Sequence, residues 1–303
     1  MKIAVALGGG GAKGYAHIGI IRALLESGVK IDIVTGTSIG AFVGAIFADG
    51  GIEELEEFVL KIKFSKLPQI LTPAFSRLGL LSGDYAKKLL DQFLDVKNIE
   101  DLSIPFAVVA TDINNGKSVT FTSGSIKNAI RASIAIPGLI TPVLMDDCFL
   151  VDGGATDPVP VEAARKLGAD IVIAVDLVSN FKPFTDDVGT RRILKQLPFQ
   201  SKIENLGDYI KTIGESLYLF ESKKRSSFSN KTVFDIIQRI SVVTQARLIE
   251  TSFRLTPPDI VLRPEVSNIG ILDFHKAKQG IEAGQSSIKD KIEDINKIIS
   301  GKN

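Results

Sequence analysis

A serine between two glycines is the feature that most constrains this chain. The β-branched run Ile31–Val34 leads into Gly36-Thr37-Ser38-Ile39-Gly40, and small and apolar residues follow. This order of strand, sharp turn and helix is typical of a nucleophile elbow. A serine on such a turn needs neighbours two positions away that have almost no side chain, and Gly36 and Gly40 meet that need. The turn also puts Ser38 at a helix N-terminus, where the helix dipole favours developing negative charge.

The Gly-x-Ser-x-Gly pattern often occurs by chance, so a catalytic interpretation requires an oxyanion hole and a base elsewhere in the chain. A second glycine-rich stretch, Gly8–Gly14, follows a predicted strand over residues 2–7 and precedes a predicted helix over residues 15–27. Successive backbone N–H groups of such a loop can point at one anion, because no side chains intervene. The loop therefore predicts a site for an anion.

Three ligands compete for this loop. Gly9, Gly11 and Gly14 match the dinucleotide-binding pattern Gly-x-Gly-x-x-Gly. Its acidic partner would have to be Asp32, which begins the second predicted strand instead of ending it. A P-loop is excluded because Lys13 precedes the last glycine and no Gly-Lys-Ser/Thr follows. The third ligand is the oxyanion of a reaction at the elbow. A tight turn without a ligand needs fewer than four consecutive glycines.

The base is harder to assign, because the chain contains only two histidines. We interpret His17 as a helix histidine near the site, since a catalytic histidine usually lies on a loop that can aim its ring. His275 begins a late helix, where a surface or capping role is expected. Asp152 follows the predicted strand Phe149–Val151 and precedes Gly153-Gly154. Among the carboxylates it is the best placed to serve as the base.

Strands alternate with helices up to about residue 177. This alternation predicts an α/β fold, a three-layer α/β/α sandwich with a mostly parallel central sheet. The glycine loop, Ser38 and Asp152 each follow a predicted strand, and active sites of such sheets lie at the carboxyl ends of the strands. We therefore expect all three at one edge of the sheet. Ser133 is a rival nucleophile, but it has no flanking glycines and no preceding strand.

The pattern changes after Ser179, and it predicts three units: a catalytic core over residues 1–180, a helical insertion over 181–256, and a strand and helices over 257–303 that return to the core. An apolar stripe in the insertion ends at Lys223-Lys224-Arg225. Packing on the core, a lid, a homodimer contact and a membrane-surface helix stay open for this segment. The stripe consists of Ile203, Leu206, Ile210, Ile213, Leu217 and Phe220.

Composition excludes several functional classes. A net charge of +1 argues against a nucleic-acid-binding protein and against strong adhesion to an acidic membrane. The single cysteine, Cys148, excludes an internal disulfide and a cysteine-based metal cluster, and two histidines argue against a histidine-rich metal site. No run approaches the ~20 apolar residues of a membrane span. We expect a cytoplasmic protein, soluble or peripheral to the inner face of the membrane.

Together these motifs resemble the patatin-like phospholipase family. The stretch Pro258–Pro264, with Leu272-Asp273-Phe274 beyond it, is similar to the bacterial branch related to neuropathy target esterase. The resemblance covers residues 1–180 and 257–285, and Lys13 stands where many members have arginine. The four motifs that carry it occur in the family's order: Gly9-Gly10-Gly11-Ala12-Lys13-Gly14, Gly36-Thr37-Ser38-Ile39-Gly40, Ala132-Ser133-Ile134-Ala135-Ile136-Pro137 and Asp152-Gly153-Gly154.

The resemblance implies a serine lipid acyl hydrolase with a Ser–Asp dyad that needs no histidine. Ser38 would attack an acyl ester of a phospholipid or lysophospholipid, and Asp152 would accept its proton. A carboxylate is a weak base at neutral pH, so we expect shielding to raise the pKa of Asp152. The family implies an oxyanion hole of backbone N–H groups from Gly9, Gly10 and Gly11. The motif-supporting residues would be Lys13, Gly14, Gly36, Gly40, Gly153 and Gly154.

The resemblance implies no cofactor and no metal, and a lipid or acyl ester as the partner in place of nucleic acid. A peripheral membrane contact and a homodimer through residues 181–256 are further expectations. Acyl transfer to an alcohol by the same acyl-enzyme is one alternative. A non-catalytic lipid-binding regulatory protein is another, although an intact dyad argues against it. A nucleotide-binding domain that uses the glycine loop would be indifferent to the loss of Ser38.

Overall fold

The structure is a computed structural model that describes residues 1–76, 78–180 and 233–301. The apolar stripe and the basic residues 223–225 predicted for the insertion lie outside the described residues. The strands of the described part are β1 (Ile3–Leu7), β2 (Ile33–Thr37), β3 (Pro73–Ser76), β4 (Gly79–Leu81), β5 (Phe106–Asp112), β6 (Lys117–Phe121), β7 (Gly138–Ile140), β8 (Val143–Met145), β9 (Cys148–Asp152), β10 (Ile171–Val175) and β11 (Ile260–Leu262).

Helices connect these strands, and two short 3-10 turns, Gly11–Gly14 and Gly153–Ala155, follow β1 and β9. The α-helices of the described residues are α1 (Tyr15–Glu26), α2 (Ile39–Ala48), α3 (Ile52–Leu60), α4 (Leu67–Ile70), α5 (Asp84–Phe93), α6 (Ile126–Ser133), α7 (Val161–Lys166), α8 (Val233–Leu255), α9 (Ala277–Lys289) and α10 (Ile292–Gly301).

An eight-stranded sheet forms the middle layer, in the order β11-β10-β1-β2-β5-β9-β8, with β6 also paired to β5. The pairs from β11 through β5 are parallel, whereas β6, β8 and β9 join by antiparallel pairing. Helices cover both faces: Val5 and Leu7 pack in a larger core with residues of α1, α2 and α9, and Ala4 and Ala6 pack in a smaller core with α7 and α8. The predicted three-layer fold with a mostly parallel sheet is confirmed.

A second sheet, which the sequence did not predict, joins β3, β4 and β7. Buried leucines from several segments pack beneath it, which ties the chain around residue 70 to a C-terminal turn. These are Leu67, Leu71, Leu81, Leu139 and Leu272.

Two strands meet end to end on one side of β5. Val109 pairs with Thr37 of β2 and with Thr120 of β6, so these strands lie on opposite sides of β5. The next residue, Ala110, pairs with Asp152 of β9 and also with β6. Consequently β2 and β9 occupy the same side of β5 and run towards each other. Their last residues, Thr37 and Asp152, pair with adjacent residues of β5.

Asp152 was expected at the carboxyl edge of the sheet because it follows a strand, and the direction of β9 changes that reason. Asp152 does lie beside the carboxyl end of β2, as predicted, but β9 is antiparallel to β5. Asp152 therefore reaches the site because its strand enters from beyond the carboxyl edge and stops there, and not because it ends a parallel strand.

We predict that Gly40→Ala severely destabilises the fold. A Cβ atom at Gly40 would lie 2.1 Å from the carbonyl oxygen of Leu7, and backbone cannot move aside as a side chain can. We expect the free energy of unfolding to fall by about 3 kcal/mol, as for severe overpacking. Gly301→Ala is the control, because nothing lies near that position. Chemical denaturation followed by circular dichroism measures both, and equal stabilities would contradict the close approach.

Candidate active site

Ser38 stands on a strained turn between β2 and α2. Its φ of 56° and ψ of −123° are unusual for a residue with a side chain, and such strain clusters at functional sites. The residue is 4% exposed. Its backbone N–H donates to Ser133 Oγ at 2.7 Å. The turn is therefore held from outside its own segment.

Asp152 is the hydrogen-bond partner of the Ser38 side chain. Ser38 Oγ donates to Asp152 Oδ2 at 2.5 Å, and the Gly154 N–H donates to Asp152 Oδ1 at 2.8 Å. Burial raises the pKa of the Asp152 carboxyl to about 6, and the two hydrogen bonds limit that rise. A carboxylate with this pKa is ionised at neutral pH and is a stronger base than an exposed aspartate. The expected shielding of Asp152 is confirmed.

Ser133, the rival nucleophile, braces the turn instead. Its Oγ is fully buried, donates to the Val109 carbonyl at 2.5 Å and accepts from the Ser38 N–H. The hydroxyl thereby joins α6 to the end of β5 and to the elbow. Its single proton is already committed, so the geometry favours Ser38 as the reactive hydroxyl.

The glycine loop lies against Ser38, since a Cβ atom at Gly9 would be 3.4 Å from Ser38 Cβ. The Gly9 N–H donates to the Pro158 carbonyl at 3.0 Å. Within the described residues, the N–H groups of Gly10 and Gly11 have no hydrogen-bond partner. Gly11 has a φ of +59°, and a Cβ atom there would lie 2.4 Å from the Ile271 carbonyl oxygen. Two of the three predicted donors are thus available for a ligand.

Several other motif residues serve close packing around the pair. Gly154 supplies the N–H that bonds Asp152, and Lys13 is 9% exposed and lines the cavity next to Ser38. At the remaining motif glycines a Cβ atom would lie 2.5 Å or less from a neighbouring atom, which belongs to the Ile39 side chain for Gly14 and to the backbone for the other three. They are Gly14, Gly36, Gly40 and Gly153.

Neither histidine lies in position to act as the base within the described structure. His17 is fully buried, and burial lowers its pKa to about 4, so the ring is neutral and Nε2–H donates to the Gly8 carbonyl at 2.8 Å. The His275 ring instead packs edge-on against Phe64. The interpretation of His17 as a helix histidine agrees with this geometry, and its hydrogen bond steadies the start of the glycine loop.

The acidic residue of the dinucleotide alternative lies at the wrong end of the sheet. Asp32 Oδ2 accepts a hydrogen bond from the Ile3 N–H at 3.0 Å, and Oδ1 pairs with Lys30. Ile3 begins β1, whereas the glycine loop follows its end. A nucleotide on the loop would therefore find no carboxylate from Asp32.

Two cavities that differ in polarity meet at Ser38, and apolar atoms form most of the surface of both. The apolar cavity has a volume of about 140 Å³, and aliphatic and aromatic side chains such as Phe42, Val59 and Leu89 line it. The second cavity has a volume of about 70 Å³, and we call it the polar cavity because Asp152, Lys13 and the glycine loop line part of it. An ester at Ser38 thus has one apolar and one polar compartment to occupy.

Helix α8, which lies in the predicted helical insertion, lines the polar cavity, although the sequence did not predict which of its residues do so. Gln238, Ser241, Val242 and Gln245 line the cavity. The helix is held on the smaller core by Ile249, which is 1% exposed. Polar residues spaced three and four apart give one face of the helix, but periodicity alone does not say which cavity that face meets. Within the described residues, no helix is long and apolar enough to cross a membrane.

Comparison with known proteins gives a consistent set of relatives. Residues 5–165 match the family model described as patatin-like phospholipase. An uncharacterized NTE family protein of Mycobacterium tuberculosis is 44% identical over 179 residues, which are 58% of this chain and 49% of that protein. Lysophospholipase NTE1 of Pyricularia oryzae is 31% identical over 291 residues, 93% of this chain and 18% of that protein. Patatin-like phospholipase domain-containing protein 7 of Mus musculus is 37% identical over 187 residues, which are 58% of this chain and 14% of that protein. The chain thus spans about half the length of the mycobacterial relative and less than a fifth of the other two.

We predict that Ser133→Ala destabilises the fold although it removes one oxygen atom. The buried Ser38 N–H and Val109 carbonyl would lose their partner, which costs about 1–3 kcal/mol of unfolding free energy. Ser27→Ala is the matched control, because the Ser27 hydroxyl also donates to a backbone carbonyl but is exposed. Urea denaturation of both variants measures the difference. Similar losses for the two serines would contradict the bracing role of Ser133.

Proposed function

Because the chain belongs to the patatin-like phospholipase family, we propose that it is a serine lipid acyl hydrolase acting on acyl esters of phospholipids or lysophospholipids. The observation that carries the proposal is the buried hydrogen bond between Ser38 and Asp152 at the mouth of an apolar cavity. The fungal relative named a lysophospholipase aligns with 93% of this chain, which supports a lysophospholipid as substrate.

The proposed reaction begins when Ser38 Oγ attacks the ester carbonyl carbon and its proton passes to Asp152 Oδ2. The hydrogen bond between these atoms already lies along that transfer. Collapse of the tetrahedral intermediate breaks the bond to the alcohol oxygen, which takes the proton from Asp152. An acyl ester of Ser38 remains. Water then attacks this ester and gives a proton to Asp152, and the proton returns to Ser38 as the fatty acid leaves.

The oxyanion of each intermediate would be held by the N–H groups of Gly10 and Gly11. Gly9, the third predicted donor, already bonds Pro158, so its contribution is to let the loop approach Ser38. The loss of one oxyanion donor typically costs ~100–1,000-fold in rate. Lys13, which lines the same cavity, adds a positive charge near the developing negative charge.

Two expectations about residues 181–256 stay predictions: a peripheral membrane contact and a homodimer contact. Helix α8 bears on the first of these. Its outward face exposes Ile236, Ile237 and Ile240, each 45–60% exposed, next to the polar cavity. An apolar surface on the helix that lines the proposed site supports contact with a lipid surface.

We predict covalent labelling of Ser38 by a fluorophosphonate probe. Wild-type protein should be labelled, Ser38→Ala should not, and Asp152→Asn should react at least ~100-fold more slowly, because an amide cannot take the proton. Intact mass spectrometry and peptide mapping identify the modified residue. Thr244→Ala, a substitution at an exposed position of α8, is the control and should label like the wild type.

Folded wild-type protein that resists the probe would sink the proposal of an open hydrolase site. Labelling at Ser133 instead of Ser38 would reverse the assignment of the nucleophile. Circular dichroism on each variant separates loss of reactivity from loss of fold.

We predict an acidic limb in the pH dependence of kcat/KM with an apparent pKa near 6. Asp152 must be ionised to accept the proton, and burial raises its pKa to about 6. Activity should therefore fall about tenfold per pH unit below that value. Hydrolysis of a soluble ester between pH 4.5 and 8 measures the limb. His17, with a pKa of about 4, cannot produce it. A flat profile over this range, with the fold intact, would refute Asp152 as the base.

A further inference from the structure

The position of Ser38 between the two cavities assigns a direction to the substrate. Ser38 and Gly11 line both cavities, so the scissile bond lies at their junction. The acyl chain belongs in the apolar cavity, because transfer of hydrocarbon out of water is favourable and that cavity offers almost no polar atoms. The alcohol part of the ester then lies in the polar cavity.

Gln245 of α8 lines that cavity beside the Asp152-Gly153-Gly154 motif. A Cβ atom at Gly154 would lie 3.0 Å from Asp152 Oδ1 and 3.2 Å from Gln245 Nε2, so the carboxylate and the amide flank the same glycine. Gln245 Nε2 donates to Ser241 Oγ at 2.9 Å, one turn earlier on the helix. This bond orients the amide. Among the described residues, Gln245 Oε1 and the second N–H of Nε2 have no partner.

A free donor and a free acceptor on one amide match a hydroxyl group, which can accept from the first and donate to the second. Val242, Ile136 and Pro137 line the same cavity and suit the short hydrocarbon skeleton that carries such a hydroxyl. An alcohol without the hydroxyl would leave Oε1 and the second N–H of Gln245 desolvated and without a partner. Sites built in this way reject the analogue that lacks the group.

We propose that Gln245 is a specificity-determining residue that hydrogen-bonds a free hydroxyl of the alcohol part, next to the ester that is cleaved. The substrate class is accordingly a monoacylated glycerol derivative, such as a lysophospholipid or a monoacylglycerol, in preference to an ester of a simple alcohol. This inference rests on the proposed hydrolase function and concerns only the alcohol side of the site.

The experiment compares two soluble esters with one acyl chain, 1-monohexanoylglycerol and propyl hexanoate, which differ only in the hydroxyl groups of the alcohol. Wild-type protein should favour the glycerol ester by about tenfold or more in kcat/KM, the worth of one well-placed hydrogen bond. Gln245→Ala should remove that preference and leave propyl hexanoate hydrolysis within about twofold of the wild type. Gln245→Met, which keeps the length of the side chain without its hydrogen bonds, should do the same. Thr244→Ala is the control on the same helix and should keep the wild-type ratio.

Every outcome of this comparison bears on the inference. A loss of activity on both esters alike would make Gln245 a structural residue and overturn the inference, as would an unchanged ratio in both Gln245 variants. If the probe labels the wild-type protein but the protein does not hydrolyse the glycerol ester, this inference alone would be overturned. Absence of both labelling and turnover would overturn the proposed function together with it.

Discussion

The hydrogen bond from Ser38 to Asp152 depends on two strands that point at each other. The hairpin partner of β5, β6, lies on the opposite side of β5 from β2 and so does not reach this point. Here β2 and β9 end at adjacent residues of β5, Val109 and Ala110. In the same segment of β5, the Val109 carbonyl accepts a hydrogen bond from Ser133 Oγ. One strand therefore sets the positions of Ser38, Asp152 and Ser133 relative to one another.

The buried position of Asp152 makes its carboxylate a stronger base and lowers the stability of the folded state. The rise in the pKa of Asp152 from 3.8 to about 6 corresponds to a net penalty of about 3 kcal/mol on its charged form, which burial causes and the hydrogen bonds reduce. Between these pH values the folded state binds the proton more tightly than the unfolded chain does. This group therefore supports the fold at low pH and loses that contribution as the pH rises through 6. The proposed reaction needs the ionised form, so the base works where it stabilises the fold least. The hydrogen bonds from Ser38 and Gly154 limit the penalty.

Local patterns in the sequence predicted the parts of the site, and the path of the chain decided how those parts meet. Gly36 and Gly40 predicted the elbow because their contacts are with residues of the same strand–turn–helix unit and its neighbour β1. The direction of β9 depends on the short strands β7 and β8, whose three residues each give no readable periodicity. Gln245 was missed for a similar reason, since an amphipathic helix shows which residues share a face but not what that face covers. The sequence does not distinguish Gly9 from Gly10 and Gly11, because the N–H of Gly9 donates to the carbonyl of Pro158, which is far away in the sequence.

The meeting of two cavities at one serine also has a consequence for the proposed acyl-enzyme. If the alcohol leaves while the acyl chain still fills the apolar cavity, the polar cavity is the space beside Ser38 that stays open to a second reactant. Water and a new alcohol would therefore compete for one small compartment of about 70 Å³ beside Asp152. The ratio of hydrolysis to transesterification would then depend on whether water or an alcohol occupies the polar cavity. The polar side chains of α8 would influence which of the two binds there.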